Sequence, residues 1–333
     1  MTRNHRIVLI ILTMFLLTSF SATLSAESLP QSGKGMKIWF DAGGPVGESY
    51  ATIVANGAKQ AAADTGCGLE VYYSDWQPQK MIENFQKAVA SKPDGIVIMG
   101  HPGDKAYQPF VDEAVSKGII VTACDTELPE LQSKNKSTGF GYAGADNYIR
   151  GISLATEAVR KFKLKSGEKA WVWGLKAQPT RGRSTVGIID GLEKAGLKVD
   201  YVEISPEVDK DTALGVPIFT GYMAKNPDCR LVVMDHGGLT AQLENFFTAA
   251  GIKPGAVHGA GFSLSPATAS ALKKGYVELI GDDQPFMQGY FAVLQVVMAK
   301  KYGFSGFTIN TSGGFVMKEN IDLIAPLAEK GIR

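Results

Sequence analysis

Cysteine and histidine are scarce in this 333-residue chain, with three of the first and four of the second. Cys67, Cys124 and Cys229 form no CxxC pair and stand at no metal-ligand spacing with a histidine, so no metal and no disulfide framework is expected. One bridge with a thiol left over is one reading; three small buried residues is the other. So few histidines leave little machinery for acid–base catalysis. An excess of one charge is missing too: the formal net charge is +1, which removes the electrostatic footprint of a nucleic-acid binder. Catalytic signatures are also absent. There is no G-x-S-x-G and no HExxH. The run from Gly43 to Glu48 (GGPVGE) looks like a phosphate loop but lacks the Gly-Lys-Ser/Thr end, and Gly259-Ala260-Gly261 lacks a third glycine at Leu264. These absences weigh against an enzyme.

What is present is ordinary globular composition, 45% hydrophobic and 20% charged, in a chain long enough for two cores. The N-terminus has a basic start (Arg3, Arg6), an apolar run of 14 residues from Ile7 to Phe20, and a small-residue stretch ending at Ala26. That is the pattern of a secretory signal peptide over residues 1–26. The run falls short of the roughly 20 residues of a membrane span, although an uncleaved anchor is the competing reading. Leu24 is a poor residue three before the cut, and the lack of a cysteine there argues against a lipid anchor. Removing Arg3 and Arg6 leaves 32 basic against 33 acidic residues, and the mature chain is expected to be soluble, monomeric and periplasmic.

The rest alternates strands and helices. Short β-branched runs such as Lys37–Asp41, Gly95–Gly100, Ile119–Cys124, Ala170–Gly174 and Leu231–Met234 are nearly all apolar, as strands covered on both faces are. Helical spacing separates them, over Ser49–Thr65, Pro78–Ala90, Tyr148–Phe162, Ser184–Ala195 and Phe286–Tyr302 among others. Strand–helix–strand repetition predicts parallel sheets with right-handed crossovers, in two α/β sets. Ligands of such sheets bind beyond the carboxyl ends of the strands. Those ends carry Asp41, Gly43-Gly44, His101-Pro102, Asp125-Thr126, Lys176 to Arg183, Asp235-His236, Ser263 and Asp282-Asp283-Gln284.

Several segments in order carry a resemblance: Gly57-Ala58, Lys92-Pro93-Asp94-Gly95-Ile96, Gly118-Ile119-Ile120-Val121 with Asp125, and Ala145-Asp146-Asn147. Asp190-Gly191-Leu192, Asn226-Pro227-Asp228 and Asp283-Gln284-Pro285 with Gln288-Gly289-Tyr290 continue it. From Met36 to about Ile324 the chain resembles the ribose-binding-protein-like branch of periplasmic sugar-binding proteins, the solute receptors of ATP-binding cassette transporters. The resemblance implies an α/β periplasmic binding protein type I fold: two Rossmann-like lobes, each a parallel sheet flanked by helices, joined by a three-segment hinge. It implies a first lobe of residues 36–144 plus 284–311 and a second of 145–283 plus 312–333. It also implies a monosaccharide or sugar alcohol as ligand, a membrane permease as partner and, for some relatives, a chemoreceptor. No cofactor is implied. Repressors sharing this core need an N-terminal helix-turn-helix, and here a signal peptide takes that place.

Carried over residue by residue, the resemblance names a ligand set. Glu48 and Tyr50 come from the first loop, where the family has an amide and aromatics. Asp125 matches a hydroxyl-binding aspartate, with Thr126 in place of an arginine, and Arg183 is the nearest counterpart of another arginine. Asp235-His236 replaces an Asn-Asp pair, Ser263 an aspartate, and Asp283 or Gln284 matches a hinge glutamine; Asp41 joins them at a strand end. Trp76 and Phe40 can stack on a sugar face, Trp173 reads as core, and Asp146 reads as a helix cap. Carboxylates thus outnumber the cations, and a buried carboxylate wants a partner. Arg183, Lys176 or His236 can supply it; so can the amine of an amino sugar. Rival readings are a receptor for a small furanosyl signal or nucleoside, and a purely structural interaction protein.

Overall fold

The computed structural model describes residues 29–333 apart from residue 179; the signal-peptide reading over residues 1–26 lies outside them. The first α/β set runs α1 (Leu29–Ser32), β1 (Lys37–Asp41), α2 (Ser49–Thr65), β2 (Gly68–Tyr72), α3 (Pro78–Ala90), β3 (Gly95–Met99), α4 (Asp104–Ser116), β4 (Ile120–Asp125), α5 (Pro129–Asn135) and β5 (Gly141–Gly144). The second runs α6 (Asn147–Phe162), β6 (Lys169–Gly174), α7 (Gly182–Lys194), β7 (Lys198–Glu203), α8 (Pro206–Lys210), α9 (Val216–Lys225), β8 (Cys229–Met234), α10 (Gly237–Ala249), β9 (His258–Phe262), α11 (Pro266–Lys274) and β10 (Leu279–Asp282). The chain then continues through α12 (Pro285–Tyr302), β11 (Thr308–Asn310), β12 (Gly314–Val316) and α13 (Ile321–Ala328).

Two six-stranded sheets result, ordered β11-β5-β4-β3-β1-β2 and β12-β10-β9-β8-β6-β7. Raising each of β1 to β5 by five turns one order into the other, so the lobes repeat one topology. All pairings of the first sheet are parallel, and the second departs from this only where β12 runs antiparallel to β10. Every residue of β3 is buried, because helices cover both faces of the sheet. The chain passes between sheets after β5, after β10 and between β11 and β12, since α12 packs back on α2 and on β3 to β5.

Glycines set how closely the helices approach. A Cβ at Gly57 would lie 1.9 Å from the Phe286 carbonyl oxygen, and one at Gly289 would lie 2.0 Å from that of Val54, so α2 and α12 cross backbone to backbone. Gly151 and Gly187 do the same for α6 and α7, each 2.2 Å from the other helix's carbonyl oxygen. The first lobe is built on Phe40, Phe85, Tyr107 and Phe140; the second stacks Trp171, Trp173, Phe219 and Phe246. Phe40 and Trp173 are therefore core. All three cysteines are unpaired, Cys124 and Cys229 buried and Cys67 half-buried. Among the described residues no helix is long and apolar enough to cross a membrane.

Candidate ligand-binding site

The carboxyl ends of both sheets face one cleft of about 970 Å³. The first lobe lines it with Tyr50 at the start of α2, Trp76 after β2, His101 after β3 and Asp125-Thr126 at the end of β4. The second lobe contributes Arg181 before α7, Asp209 on α8, Asp235-His236 after β8 and Phe262-Ser263 at the end of β9. Arg150 on α6 and Asp283 after β10 reach in from the crossings. His101 and His236 follow equivalent strands of the repeat, as do Asp125 and Ser263.

The backbone is strained around this cleft. Seven of the described non-glycine residues have left-handed φ, and Asp75, Trp76, Asp125, Ser263 and Gln284 among them lie at the cleft or its crossings. Each such residue costs energy and persists only where its surroundings enforce it, which is typical of binding loops.

One wall is aromatic. The Trp76 ring centroid lies 5.6 Å from Tyr50 and 5.2 Å from His101. Side chains at Gly43 and Gly44 would collide with the indole, at 2.4 and 2.9 Å. The glycine run that looks like a phosphate loop is thus the seat of a tryptophan. Burial pushes His101 down to about 4, against the opposing pull of Asp125, so its imidazole is neutral at physiological pH. Burial and then the Asp125 charge push the Tyr50 phenol well above its ordinary value.

The facing wall centres on Arg150. Its guanidinium lies 2.5 Å from Asp283 and 3.6 Å from Asp235, donates from Nε to Ser184 Oγ at 3.2 Å, and sits 4.2 Å over the Phe262 ring. Burial pushes Asp283 up to about 7; Arg150 opposes, while Asp125, Asp282 and Asp235 add to the rise. Burial also raises Asp235, opposed by Arg150 and by hydroxyls of Thr185 at 2.5 Å and Ser184 at 2.8 Å. A second centre joins Asp209 to His236 at 2.9 Å and Arg181 at 3.2 Å. The Gly238 N–H donates to His236 Nδ1, leaving Nε2 as the donor to Asp209. Burial alone would raise Asp209, but the His236 hydrogen bond and the Arg181 charge outweigh it and hold the carboxyl well below its ordinary value.

Of the residues expected from the sequence, Glu48, Tyr50, Asp125, Thr126, His236, Ser263 and Asp283 line the cleft. Three do not. Asp41 turns away and staples the first loop, accepting from the Gly43 N–H at 2.8 Å and the Ser74 hydroxyl. Gln284 ties two crossings together, donating to the Thr311 carbonyl at 2.8 Å. Arg183 is half exposed and pairs across the lobes with Glu127. Glu48 lines the mouth but spends its carboxylate on the Tyr50 and Ala51 N–H groups as the cap of α2. Asp146 caps α6 through the Ile149 N–H. The sequence reading missed Arg150, Arg181 and Asp209. Arg150 carried a signal: a cation in the first turn of a helix opposes the helix dipole and needs another reason to be there.

Two repeated α/β lobes meeting at a polar and aromatic cleft define the periplasmic binding protein type I architecture. The periplasmic binding protein domain model matches residues 44–303, and the chain belongs to that family. A xylose/arabinose-binding protein of Sulfolobus acidocaldarius is 23% identical over 258 residues, which is 72% of this chain. The match spans only 61% of that relative's length. A carbohydrate transporter of Acidothermus cellulolyticus in complex with myo-inositol superposes with a TM-score of 0.75 at 21% identity, over 90% of this chain and 99% of that one. A solute-binding protein of Burkholderia graminis in complex with D-arabinose gives 0.75 at 22%, over 87% and 97%.

Proposed function

We propose that this protein is an extracytoplasmic receptor, exported by its leader at residues 1–26, that captures a monosaccharide or sugar alcohol and delivers it to the permease of an ATP-binding cassette importer. The observation that carries this reading is the pairing of an aromatic wall at Trp76 with charged, hydrogen-bonding groups opposite. Sugars present C–H faces for rings and hydroxyl rims for carboxylates and guanidinium groups. The myo-inositol and D-arabinose bound by the neighbours have that character. In this reading residues 36–144 and 284–311 form one lobe and residues 145–283 and 312–333 the other, and they close on the ligand by hinge motion. Trp76 and the Tyr50 ring pack on the sugar ring, while Asp125, Arg150, Arg181, Ser263 and Asp283 hold hydroxyls. Isothermal titration of protein unfolded and refolded to strip bound ligand tests this against pentoses, hexoses and inositols. Saturable binding that Trp76→Ala weakens by about tenfold or more supports the site, the loss of one stacked or bonded group being worth ~1–2 kcal/mol. Unchanged affinity in that variant removes Trp76 from it.

Asp125 favours a finer reading. Among the described residues its ion-pair partner is His101 at 3.6 Å, and that imidazole is neutral at physiological pH. Arg150 is taken up by Asp283 and Asp235, so for Asp125 an amino sugar would supply the missing cation. D-Glucosamine and D-galactosamine should then bind more tightly than glucose and galactose, and Asp125→Asn should abolish the difference. Equal or weaker binding of the amines rejects the finer reading and leaves the neutral-sugar receptor intact.

A further inference from the structure

Gln288 is fully buried in the first turns of α12 and makes no contact with the cleft. Its amide is nonetheless the centre of a closed hydrogen-bond set. Nε2 donates to the Asp283 carbonyl at 2.9 Å and to Thr311 Oγ1 at 3.1 Å. The Thr311 hydroxyl itself donates to the Asp283 carbonyl at 2.7 Å, and the Thr311 N–H donates to the Gly144 carbonyl at 3.0 Å. Gly144, Asp283 and Thr311 belong to the three separate passages of the chain between the lobes. One side chain thus holds the second and third crossings directly and the first through Thr311.

The remaining capacity of that amide points at the cleft. Gln288 Oε1 accepts from the Tyr50 hydroxyl at 2.5 Å. The Tyr50 ring lines the cleft beside Trp76, and the Asp283 side chain lines it too while its carbonyl joins the set. Two cleft residues therefore each have one end in the binding space and the other on the clasp. Because both amide hydrogens and the oxygen are committed, turning the amide would break all three bonds together, and a buried unpaired amide is costly.

We propose that Gln288 is a positioning residue: with Tyr50 as its contact in the cleft, it fixes the angle between the lobes, so that what moves Tyr50 or Asp283 moves the hinge. The inference rests on the lobes moving about the crossings and does not depend on which sugar binds. Another buried amide of the same helix serves as the control. Gln295 donates to the Tyr142 carbonyl at 3.2 Å and accepts from the Phe307 N–H at 2.9 Å, and neither partner is a crossing residue.

The experiment measures the inter-lobe distance by double electron–electron resonance in the ligand-free full chain. Spin labels go on Gln79→Cys and Lys210→Cys, exposed on opposite lips of the cleft, in a Cys67→Ser background. Tyr50→Phe, which keeps the ring and loses only the hydroxyl, should shift or broaden the distance distribution. It should also speed hydrogen exchange at the Thr311 amide about tenfold, the factor that corresponds to ~1.4 kcal/mol for one lost hydrogen bond. Gln288→Met should do the same more strongly, while Gln295→Met should lower stability and leave the distance unchanged. If Gln288→Met does not fold, Tyr50→Phe decides alone. A wild-type distribution in Tyr50→Phe, or the same broadening in Gln295→Met, overturns the proposal. Failure of all sugars to bind would strike at the receptor reading instead, without touching this measurement.

Discussion

Replacing Arg150 with methionine removes the guanidinium shared by Asp283, 2.5 Å away, and Asp235, 3.6 Å away, while keeping much of the aliphatic bulk. Both carboxylates are nearly closed to water, with side-chain exposures of 6% and 2%. Breaking a buried pair by deleting one partner costs about 3–5 kcal/mol, because the survivor keeps its desolvation penalty. For a domain of this size each kcal/mol lowers the melting midpoint by roughly 2–4 °C, so a fall of roughly 6–20 °C is expected at pH 8. The loss should shrink at pH 5. Asp283, already pushed up to about 7 by burial, takes a proton there and no longer needs the cation. Arg150→Lys should fall between the two, since it keeps the charge but loses the Ser184 hydrogen bond and the stack on Phe262. Urea and thermal melts followed by circular dichroism at pH 5 and 8 measure this. A variant as stable as wild type at pH 8, or one equally destabilised at both pH values, would refute the charge argument.

Asp283 also gives the free protein a pH slope. Its folded pKa of about 7 lies above the ordinary 3.8, so the folded state binds its proton more readily than the unfolded state. The corresponding stability is complete below about pH 4 and is lost as pH rises toward 7, by a few kcal/mol at most. His101, held down at about 4, slopes the other way between pH 6.5 and 4. Asp283→Asn keeps His101 and should remove only the first slope in melts across that range. Gly289→Ala should lose ~1–3 kcal/mol or more by overpacking, its Cβ falling 2.0 Å from the Val54 carbonyl oxygen of α2; a denaturant midpoint equal to wild type would rule out the close crossing. The Arg183–Glu127 pair has a half-exposed arginine, so Arg183→Ala should change stability by less than about 1 kcal/mol. Because the pair joins the two lobes, its effect should appear instead as faster ligand release in stopped-flow fluorescence, and an unchanged off-rate removes the pair from lobe closure.

The sheets were legible because their central strands are β-branched, apolar and buried on both faces, as in Gly95–Met99 and Leu231–Met234. Strands β11 and β12 were not, because three residues each carry no periodicity and owe their conformation to the strand beside them. The cleft was legible as a set of strand ends, which is why Asp125, His236, Ser263 and Asp283 all line it. The arginines failed for a reason of register. The sequence starts a helix at Ser184 and takes Arg183 as the loop residue before it. The helix starts at Gly182, which carries Arg183 round to Glu127 and leaves Arg181 facing Asp209. Asp41 ends a strand as expected, yet its carboxylate is consumed by its own loop. Strand position locates a residue, but only the local hydrogen bonds decide what remains for a ligand.

The central claim is that the cleft between the lobes is a sugar site, and the midpoint of thermal unfolding tests it most directly. Stripped protein would be melted with neutral monosaccharides, polyols, amino sugars and nucleosides in turn. A ligand at about 1,000 times its dissociation constant adds ~4 kcal/mol. One sugar or polyol, or its amino derivative, is expected to raise the midpoint by several degrees and to lose that effect in Trp76→Ala. A shift with nucleosides alone, or with none of these compounds, would contradict the account.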